Sequence, residues 1–152
     1  MKVGDVAHDF VLKDRFDKDH KLSAINHKKV VYFYPKDNTE GCTIEAKEFS
    51  NNLNNFRKLN TIVIGISGGD KKTKEKFCVE HNLKHILLSD SDFSVSKKYN
   101  LYGEKKFMGK KYMGINRTTF ILDENNKIIH IFERVKPLGH AQEVLNYIEN
   151  IK

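Results

Sequence analysis

The sequence predicts an α/β fold with a central mixed β-sheet flanked by helices. Four apolar runs, rich in β-branched residues, recur along the chain, at residues 30–34, 61–66, 86–88 and 119–122. Near-continuous apolarity is typical of strands that are covered on both faces. Longer amphipathic segments separate the runs, and such alternation of strands and helices indicates an α/β fold.

Helical periodicity identifies the segments between the strands. Phe49, Leu53 and Phe56 recur at spacings of four and three, which places their side chains on one face of a helix. The last predicted helix likewise places four apolar residues on one face. The predicted helices are residues 44–59, 71–81, 92–99 and 141–151.

Two antiparallel hairpins are expected in addition to these alternating elements. A turn-rich stretch joins the apolar runs 119–122 and 128–132, so the sheet is predicted to be mixed. A short N-terminal β-hairpin is predicted where apolar residues flank the polar loop 14–20. Residues 105–114, with glycines around them, are expected to form an irregular surface loop.

Length and composition indicate one domain spanning residues 1–152, with 39% hydrophobic and 31% charged residues. No run approaches the ~20 apolar residues of a membrane-spanning helix. Residues 1–5 lack the apolar run of a secretory signal, so the expected compartment is the cytoplasm, with no membrane partner. Two cysteines exclude both a disulfide-stapled scaffold and a four-cysteine zinc ribbon.

The formal net charge of +7 raises the question of nucleic acid as a partner. The lysines are dispersed in pairs, only four arginines occur, and a solvated lysine-rich surface is the favoured interpretation, with no nucleic acid bound. A basic nucleic-acid-binding module is the non-enzymatic alternative. Its one candidate surface is the segment 105–112, which carries Phe107 and Tyr112.

The segment 33–45 carries the candidate reactive residues. It places Cys42 after a buried strand and a turn containing Pro35 and Gly41, in the first turn of the longest predicted helix. The unpaired N–H groups and the positive dipole end of a helix stabilise a thiolate. Cys42 is therefore a candidate thiolate at neutral pH. The alternative is that it is only a small buried apolar residue.

Pro35, Thr39 and Cys42 form a Pro-x-x-x-Thr-x-x-Cys motif, and Arg117 begins a later predicted strand. With these residues the chain resembles the peroxiredoxins, specifically their bacterioferritin-comigratory or Q-type branch. The resemblance extends over essentially the whole chain and implies a thioredoxin-like fold. Further matching segments occur in the family's order at residues 4–10, 87–90, 114–123 and 139–145.

The resemblance implies a thiol-dependent peroxidase in which Cys42 attacks a peroxide and becomes a sulfenic acid. Arg117 would favour the thiolate and donate to the peroxide oxygens, and the Thr39 hydroxyl would donate to the same oxygens. Pro35 would shield the sulfur from water. Each residue also has a structural alternative, because Thr39 suits a helix N-cap, Pro35 a strand end and Arg117 a solvated surface.

A resolving thiol is also implied by the resemblance. Many members of this branch carry it five residues after the first cysteine, where this chain has Lys47. Others carry it in the next helix, as Cys78 would be. The resemblance therefore implies an intramolecular Cys42–Cys78 disulfide, which requires both helices to unwind locally. Like-charge repulsion within residues 71–74 is expected to assist this unwinding. If Cys78 is only a buried helix residue, the protein is a one-cysteine peroxidase resolved by an external thiol.

The resemblance implies no metal or organic cofactor, reduction by thioredoxin or a similar dithiol protein, and a monomer. A thioredoxin-type reductase is excluded because Thr39 stands where a Cys-x-x-Cys pair needs its first cysteine. A glutathione peroxidase is disfavoured because its site uses tryptophan, which this chain lacks. Cys78, His81 and His85 have helical spacing for a metal site, but a strand begins before the third of them, so no metal is expected.

Overall fold

The computed structural model describes residues 1–151 and contains one large and one small β-sheet. The strands are β1 (Val11–Lys13), β2 (Asp19–Lys21), β3 (Lys28–Phe33), β4 (Thr61–Ser67), β5 (Ile86–Ser89), β6 (Tyr102–Phe107), β7 (Lys110–Ile115), β8 (Thr118–Leu122) and β9 (Ile128–Phe132). The helices are α1 (Glu40–Asn51), α2 (Leu53–Lys58), α3 (Lys71–His81), α4 (Ser94–Lys98) and α5 (His140–Asn150), with a 3₁₀ turn at Leu22–Ala24.

The seven-stranded sheet has the order β2-β1-β5-β4-β3-β8-β9. β3, β4 and β5 run parallel, whereas β8 pairs antiparallel with β3 and β9 antiparallel with β8. β1 and β2 pair antiparallel as a short hairpin at the N-terminal end of the described chain. The predicted α/β class, the mixed sheet and both hairpins are thereby confirmed.

Helices pack on both faces of this sheet because β3 alternates its buried side chains between two cores. Val30 and Tyr32 join a cluster with residues of α1, α2, α3 and α5. Val31 and Phe33 join a second cluster with residues of α4 and the N-terminal segment. Each fully buried large apolar side chain contributes roughly 1.5–3 kcal/mol. The end of β3, and with it the start of the loop that follows, is therefore firmly held.

The predicted helix over residues 44–59 is interrupted in the structure. α1 begins four residues earlier than expected, at Glu40, and ends where the Asn52 side chain donates to the backbone carbonyl of Glu48, 2.9 Å away. Asparagine side chains compete in this way with the helical backbone. The chain resumes as α2, and Phe49 and Phe56 still reach the same core.

The segment 105–114 is not an irregular loop, and that expectation was wrong. It forms most of an antiparallel hairpin in which Phe107 pairs with Lys110. The two residues between them, Met108 and Gly109, both have positive φ, at 53° and 79°. This is the backbone of a tight type I′ turn. The hairpin could not be predicted from the sequence because most of its side chains are solvent-exposed and show no apolar alternation.

None of the helices in the described part of the chain combines the length and apolarity needed to cross a bilayer.

Candidate active site

Cys42 is the third residue of α1, directly after the loop that leaves β3. Thr39 adopts an extended backbone (φ −83°, ψ 157°) and begins the helix, and its carbonyl accepts the Thr43 N–H at 2.9 Å. Cys42 therefore lies in the first turn, where backbone N–H groups lack intrahelical partners. Its side chain is only 1% exposed. The structure thus places the thiol, as predicted, at the positive end of the helix dipole.

Arg117 reaches this thiol from the start of β8, the strand that pairs with β3. It precedes β8, and its Nη2 donates to the Sγ of Cys42 across 3.4 Å. Burial acts to lower the pKa of Arg117, but the negative charges of Cys42 and Glu45 outweigh burial and hold this pKa above its usual value. The guanidinium therefore stays charged, and its positive charge faces the sulfur. The structure brings these two predicted residues into contact.

Glu45 is a site residue that the sequence analysis missed. It lies one helical turn after Cys42, is fully buried, and accepts a 2.6 Å hydrogen bond from Nη1 of Arg117. Its other oxygen, Oε2, has no hydrogen-bond partner within residues 1–151. Burial raises the pKa of Glu45 to about 7, although Arg117 acts in the opposite direction. The Cys42–Glu45 spacing of three was visible in the sequence, but helical glutamates usually face solvent.

The Thr39 hydroxyl donates a hydrogen bond, as expected, but to a backbone carbonyl. Its Oγ1 donates to the backbone carbonyl of Lys36 at 2.9 Å, so in this structure it does not donate toward a ligand. A hydroxyl that donates once still has lone pairs that can accept. The Thr39 hydroxyl therefore keeps lone pairs that can accept a further hydrogen bond. Although Thr39 occupies the N-cap position, its side chain makes no capping hydrogen bond.

Pro35 begins the loop between β3 and α1 and is half-buried. Its ring lines a groove of about 540 Å³, together with residues such as Phe93 and Tyr112. The groove therefore runs between the active-site loop and the β6–β7 hairpin. The role of Pro35 as a shield for the sulfur stays a prediction.

Residues 133–139, which join β9 to α5, also approach the site. A Cβ atom on Gly41 would lie 3.2 Å from Cγ of Pro137 and 3.3 Å from Nη2 of Arg117. The Val135 N–H donates to the Arg117 carbonyl at 3.1 Å, and Glu48 accepts the Gly139 N–H at 2.9 Å. The connection thus contacts the backbone of Arg117, and a side chain at position 41 would crowd both Pro137 and the guanidinium.

Cys78 lies in α3, is 3% exposed, and belongs to the same apolar cluster as Cys42. Both thiols are free, so the structure describes the reduced form. Burial raises the pKa of Cys78 from its ordinary value near 9 to about 11. Because the thiolate is the nucleophile, this burial disfavours the reactive form of Cys78 while α3 is folded.

The expected repulsion between the lysines of α3 is wrong for Lys74. Lys71 and Lys72 are exposed, but Lys74 is fully buried, and its Nζ lies 2.8 Å from Oδ2 of Asp37. The helix also begins with a reciprocal capping box between Asp70 and Thr73, which satisfies exposed N–H groups. The first turn of α3 is therefore stabilised rather than strained.

His81 and His85, which were considered above as metal ligands together with Cys78, have separate hydrogen-bond partners. His85 is buried between the Tyr32 hydroxyl (2.6 Å) and the Ser50 hydroxyl (2.7 Å), and burial lowers its pKa to about 3. His81 instead contacts the side-chain oxygen of Asn38 at 2.8 Å. In the described residues 1–151, no three His, Cys, Asp or Glu side chains are grouped to hold a metal ion.

Comparison with known proteins places this geometry in a family. The family model described as the AhpC/TSA family matches residues 3–131, which include Cys42, Cys78 and Arg117. The chain belongs to the AhpC/TSA family. The peroxiredoxin Bcp of Escherichia coli (strain K12) is 37% identical over 150 residues, which cover 98% of this chain and 96% of that protein.

Two further similarities assign the branch and the fold. The Bcp homologue of Helicobacter pylori (strain J99) is 44% identical over 146 residues, which cover 95% of this chain and 96% of that protein. A solved structure of the Xanthomonas campestris bacterioferritin comigratory protein superposes with a TM-score of 0.91 at 30% identity, covering 100% of this chain and 96% of that one. This AhpC/TSA protein is therefore a thiol peroxidase of the Bcp and peroxiredoxin Q branch, with the thioredoxin-like fold. The family and the fold predicted from the sequence are confirmed.

Proposed function

We propose that this AhpC/TSA protein reduces hydrogen peroxide and organic hydroperoxides through a sulfenic acid on Cys42, resolved by Cys78 as an intramolecular disulfide. The observation that supports the first step is the contact of the Arg117 guanidinium with the Cys42 sulfur at the start of α1. The similar Xanthomonas campestris protein is described by its alkyl peroxide reduction activity, which supports organic hydroperoxides as substrates.

In the first step, the thiolate of Cys42 attacks one peroxide oxygen in line with the O–O bond. The S–O bond forms, the O–O bond breaks, and the second oxygen leaves as hydroxide or alkoxide, which takes up a proton. The sulfur is oxidised by two electrons to the sulfenic acid. Arg117 stabilises the negative charge that develops on the oxygens, and the free lone pairs of Thr39 accept the O–H of the peroxide.

In the second step, α3 unwinds locally, Cys78 loses its proton, and its thiolate attacks the sulfenic sulfur, while the departing hydroxide takes up that proton. The S–S bond forms, the S–O bond breaks, and water leaves. A dithiol protein, thioredoxin or one similar to it, then returns two electrons and restores both thiols. The protein works as a monomer in the cytoplasm, without metal or organic cofactor, and serves cell redox homeostasis. If Cys78 does not resolve Cys42, the protein is a one-cysteine peroxidase that depends on an external thiol.

Peroxide consumption by matched cysteine variants tests the nucleophile. Wild type is expected to consume hydrogen peroxide and cumene hydroperoxide continuously with thioredoxin, thioredoxin reductase and NADPH. Cys42→Ser is expected to consume neither, with unchanged circular dichroism. Cys78→Ser, the matched control, is expected to stop after one to two equivalents of peroxide, because its sulfenic acid cannot close to a disulfide and is oxidised to the sulfinic acid. Undiminished consumption by a folded Cys42→Ser protein would overturn the proposal.

Mass spectrometry of the protein after one equivalent of peroxide tests the resolving step. Linked Cys42 and Cys78 peptides, lighter together by two hydrogens, are expected. A sulfenic acid on Cys42, trapped by dimedone, beside a free Cys78 thiol would instead establish the one-cysteine reaction. Replacing thioredoxin by glutathione and glutaredoxin at equal NADPH tests the reductant, with slower turnover expected.

A further inference from the structure

Lys74 is the most deeply buried cation near the candidate active site. It is fully inaccessible to solvent, although it lies only four residues into α3. All three of its N–H donors have acceptors: Oδ2 of Asp37 at 2.8 Å, Oγ of Ser67 at 2.8 Å, and the carbonyl of Gly68 at 2.7 Å. A single ammonium group therefore joins α3 to the end of β4 and to the active-site loop.

Asp37 is the counterion and lies in the loop between Pro35 and Thr39. Its Oδ1 accepts a 2.6 Å hydrogen bond from the Tyr34 hydroxyl, and its Oδ2 accepts a 3.1 Å bond from Thr73 as well as the Lys74 bond. Its side chain is 7% exposed. A buried ion pair with complete hydrogen bonding holds its partners in one arrangement, and removal of one partner leaves an uncompensated buried charge.

The pair bears directly on the second cysteine. Lys74 and Cys78 are separated by one helical turn, so their side chains leave α3 on the same face, and both are buried. The C-terminal turn of α3 contacts the same loop again, through His81 and Asn38. α3 is thus tied to the loop on both sides of Cys78, and the ion pair is the buried tie.

We propose that the Lys74–Asp37 pair is a latch that holds Cys78 away from Cys42, so that Lys74 is a positioning residue for disulfide formation. This inference rests on the resolving role proposed for Cys78. A disulfide needs Cα atoms roughly 4.4–6.8 Å apart, and we expect Cys78 to reach Cys42 by local unwinding of α3. Unwinding of α3 around Cys78 carries Lys74 away from Asp37, so the latch exists in the reduced protein alone.

A contact made only in the reduced form stabilises that form against the disulfide. The latch therefore raises the reduction potential of the Cys42–Cys78 pair and slows its closure. Slow closure lengthens the life of the sulfenic acid, and a second peroxide can then oxidise it to the sulfinic acid. The latch thus determines which fraction of the Cys42 sulfenic acid closes to the disulfide and which fraction is overoxidised.

The Lys74→Met variant tests the latch, because it keeps the length of the side chain and removes its charge. In a thiol–disulfide buffer, its disulfide is expected to be at least tenfold more stable than that of wild type, a potential about 30 mV more negative. The yield of sulfinic acid after a peroxide pulse is expected to fall at least threefold. Lys72→Met is the matched control, since it removes an exposed charge from the same turn and should behave as wild type.

The double variant Asp37→Asn/Lys74→Met distinguishes the effect of losing the latch from the effect of leaving an unpaired buried carboxylate. It is expected to keep a more negative potential than wild type, because both halves of the latch are gone. A return to the wild-type potential would show that the single variant acts only through the stranded Asp37 charge, and would overturn the proposal. Equal potentials and sulfinic acid yields in wild type, Lys72→Met and Lys74→Met would overturn it too.

Hydrogen exchange in the reduced proteins distinguishes failure of the latch from failure of the proposed function. Amides of α3 are expected to exchange at least tenfold faster in Lys74→Met, whereas those of α5 should not change. If wild type forms no disulfide, Cys78 does not resolve Cys42 and the redox effect of the latch falls with it. If wild type forms the disulfide but α3 exchange is unaltered by Lys74→Met, the latch alone is wrong.

Discussion

Arg117 and Cys42 are 75 residues apart in the chain, yet Nη2 of the arginine donates to Sγ of the cysteine at 3.4 Å. The same guanidinium donates through Nη1 to the buried carboxyl of Glu45 at 2.6 Å. Because an arginine presents its donors in a rigid plane, the carboxyl fixes the direction in which the other nitrogen points. Glu45 therefore orients the charge that Arg117 directs at the sulfur.

Replacement of Arg117 by Met should slow the reaction of Cys42 with hydrogen peroxide by about 10²–10³-fold, since loss of one charge-stabilising donor has this effect in other enzymes. Stopped-flow measurement of the single-turnover rate checks the prediction. Arg117→Lys should give an intermediate rate, because a point charge cannot serve the sulfur and Glu45 together. A rate within threefold of wild type for Arg117→Met would contradict the assignment.

Replacement of Glu45 by Gln should alter how stability depends on pH. The pKa of Glu45 is about 7 in the folded protein and near 4.5 ordinarily, so between these values the folded state alone keeps the proton. The resulting stability is complete below pH 4.5 and is lost as pH rises through 7. From pH 5 to pH 8.5, wild type should lose more stability than Glu45→Gln, by the order of 1–3 kcal/mol.

Urea unfolding of both proteins at the two pH values measures this difference. The buried histidines titrate in both proteins, so their effect cancels in the comparison. An identical change in wild type and Glu45→Gln would show that Glu45 does not carry a raised pKa.

The sequence was sufficient to predict the site residues that lie close to one another in the chain. Pro35, Thr39 and Cys42 lie within eight residues, although the amphipathic pattern placed the helix start at residue 44, four residues too late. Arg117 was found only through the resemblance, because its contact with Cys42 depends on β8 pairing with β3. The mixed sheet itself could be predicted, since its buried strands are almost purely apolar.

The residues that sequence analysis missed or misplaced are charged groups whose burial depends on distant partners. Lys74 was expected to be solvated, but Asp37, 37 residues earlier, supplies its counterion. Glu45 was overlooked because its partner Arg117 lies 72 residues later. The β6–β7 hairpin was missed because a methionine, Met108, occupies a left-handed turn position. For Lys74 and Glu45, a tertiary contact outweighs the local preference.

The rate of the resolving step should keep increasing with pH even at pH values above the ordinary pKa of a thiol. The pKa of Cys78 is raised to about 11 in folded α3, so the folded helix binds a proton that the unwound helix releases near pH 9. The stability that this proton gives α3 is complete below pH 9 and is lost as pH rises through 11. Quenched-flow mass spectrometry should therefore show disulfide formation still accelerating at pH 10.

A plateau of that rate near pH 9 would contradict reaction through a minor unwound form. Hydrogen exchange of α3 in Cys78→Ser provides the control, because this variant should lack the part of helix opening that depends on the thiol proton. The same measurement in wild type should show opening that increases between pH 9 and pH 10.

Replacement of Gly41 by Ala should impair catalysis without unfolding the protein. Alanine favours a helix by roughly 0.5–1 kcal/mol over glycine. However, its Cβ would lie 3.2 Å from Pro137 and 3.3 Å from Nη2 of Arg117, so the guanidinium must move. Displacement of a charge-stabilising group by a fraction of an ångström should slow Cys42 oxidation about 10–100-fold.

The double variant Gly41→Ala/Pro137→Ala should recover part of the rate, because removal of the proline ring lets the new methyl group shift away from Arg117. An unchanged single-turnover rate in Gly41→Ala would mean that the position of Arg117 does not limit the reaction.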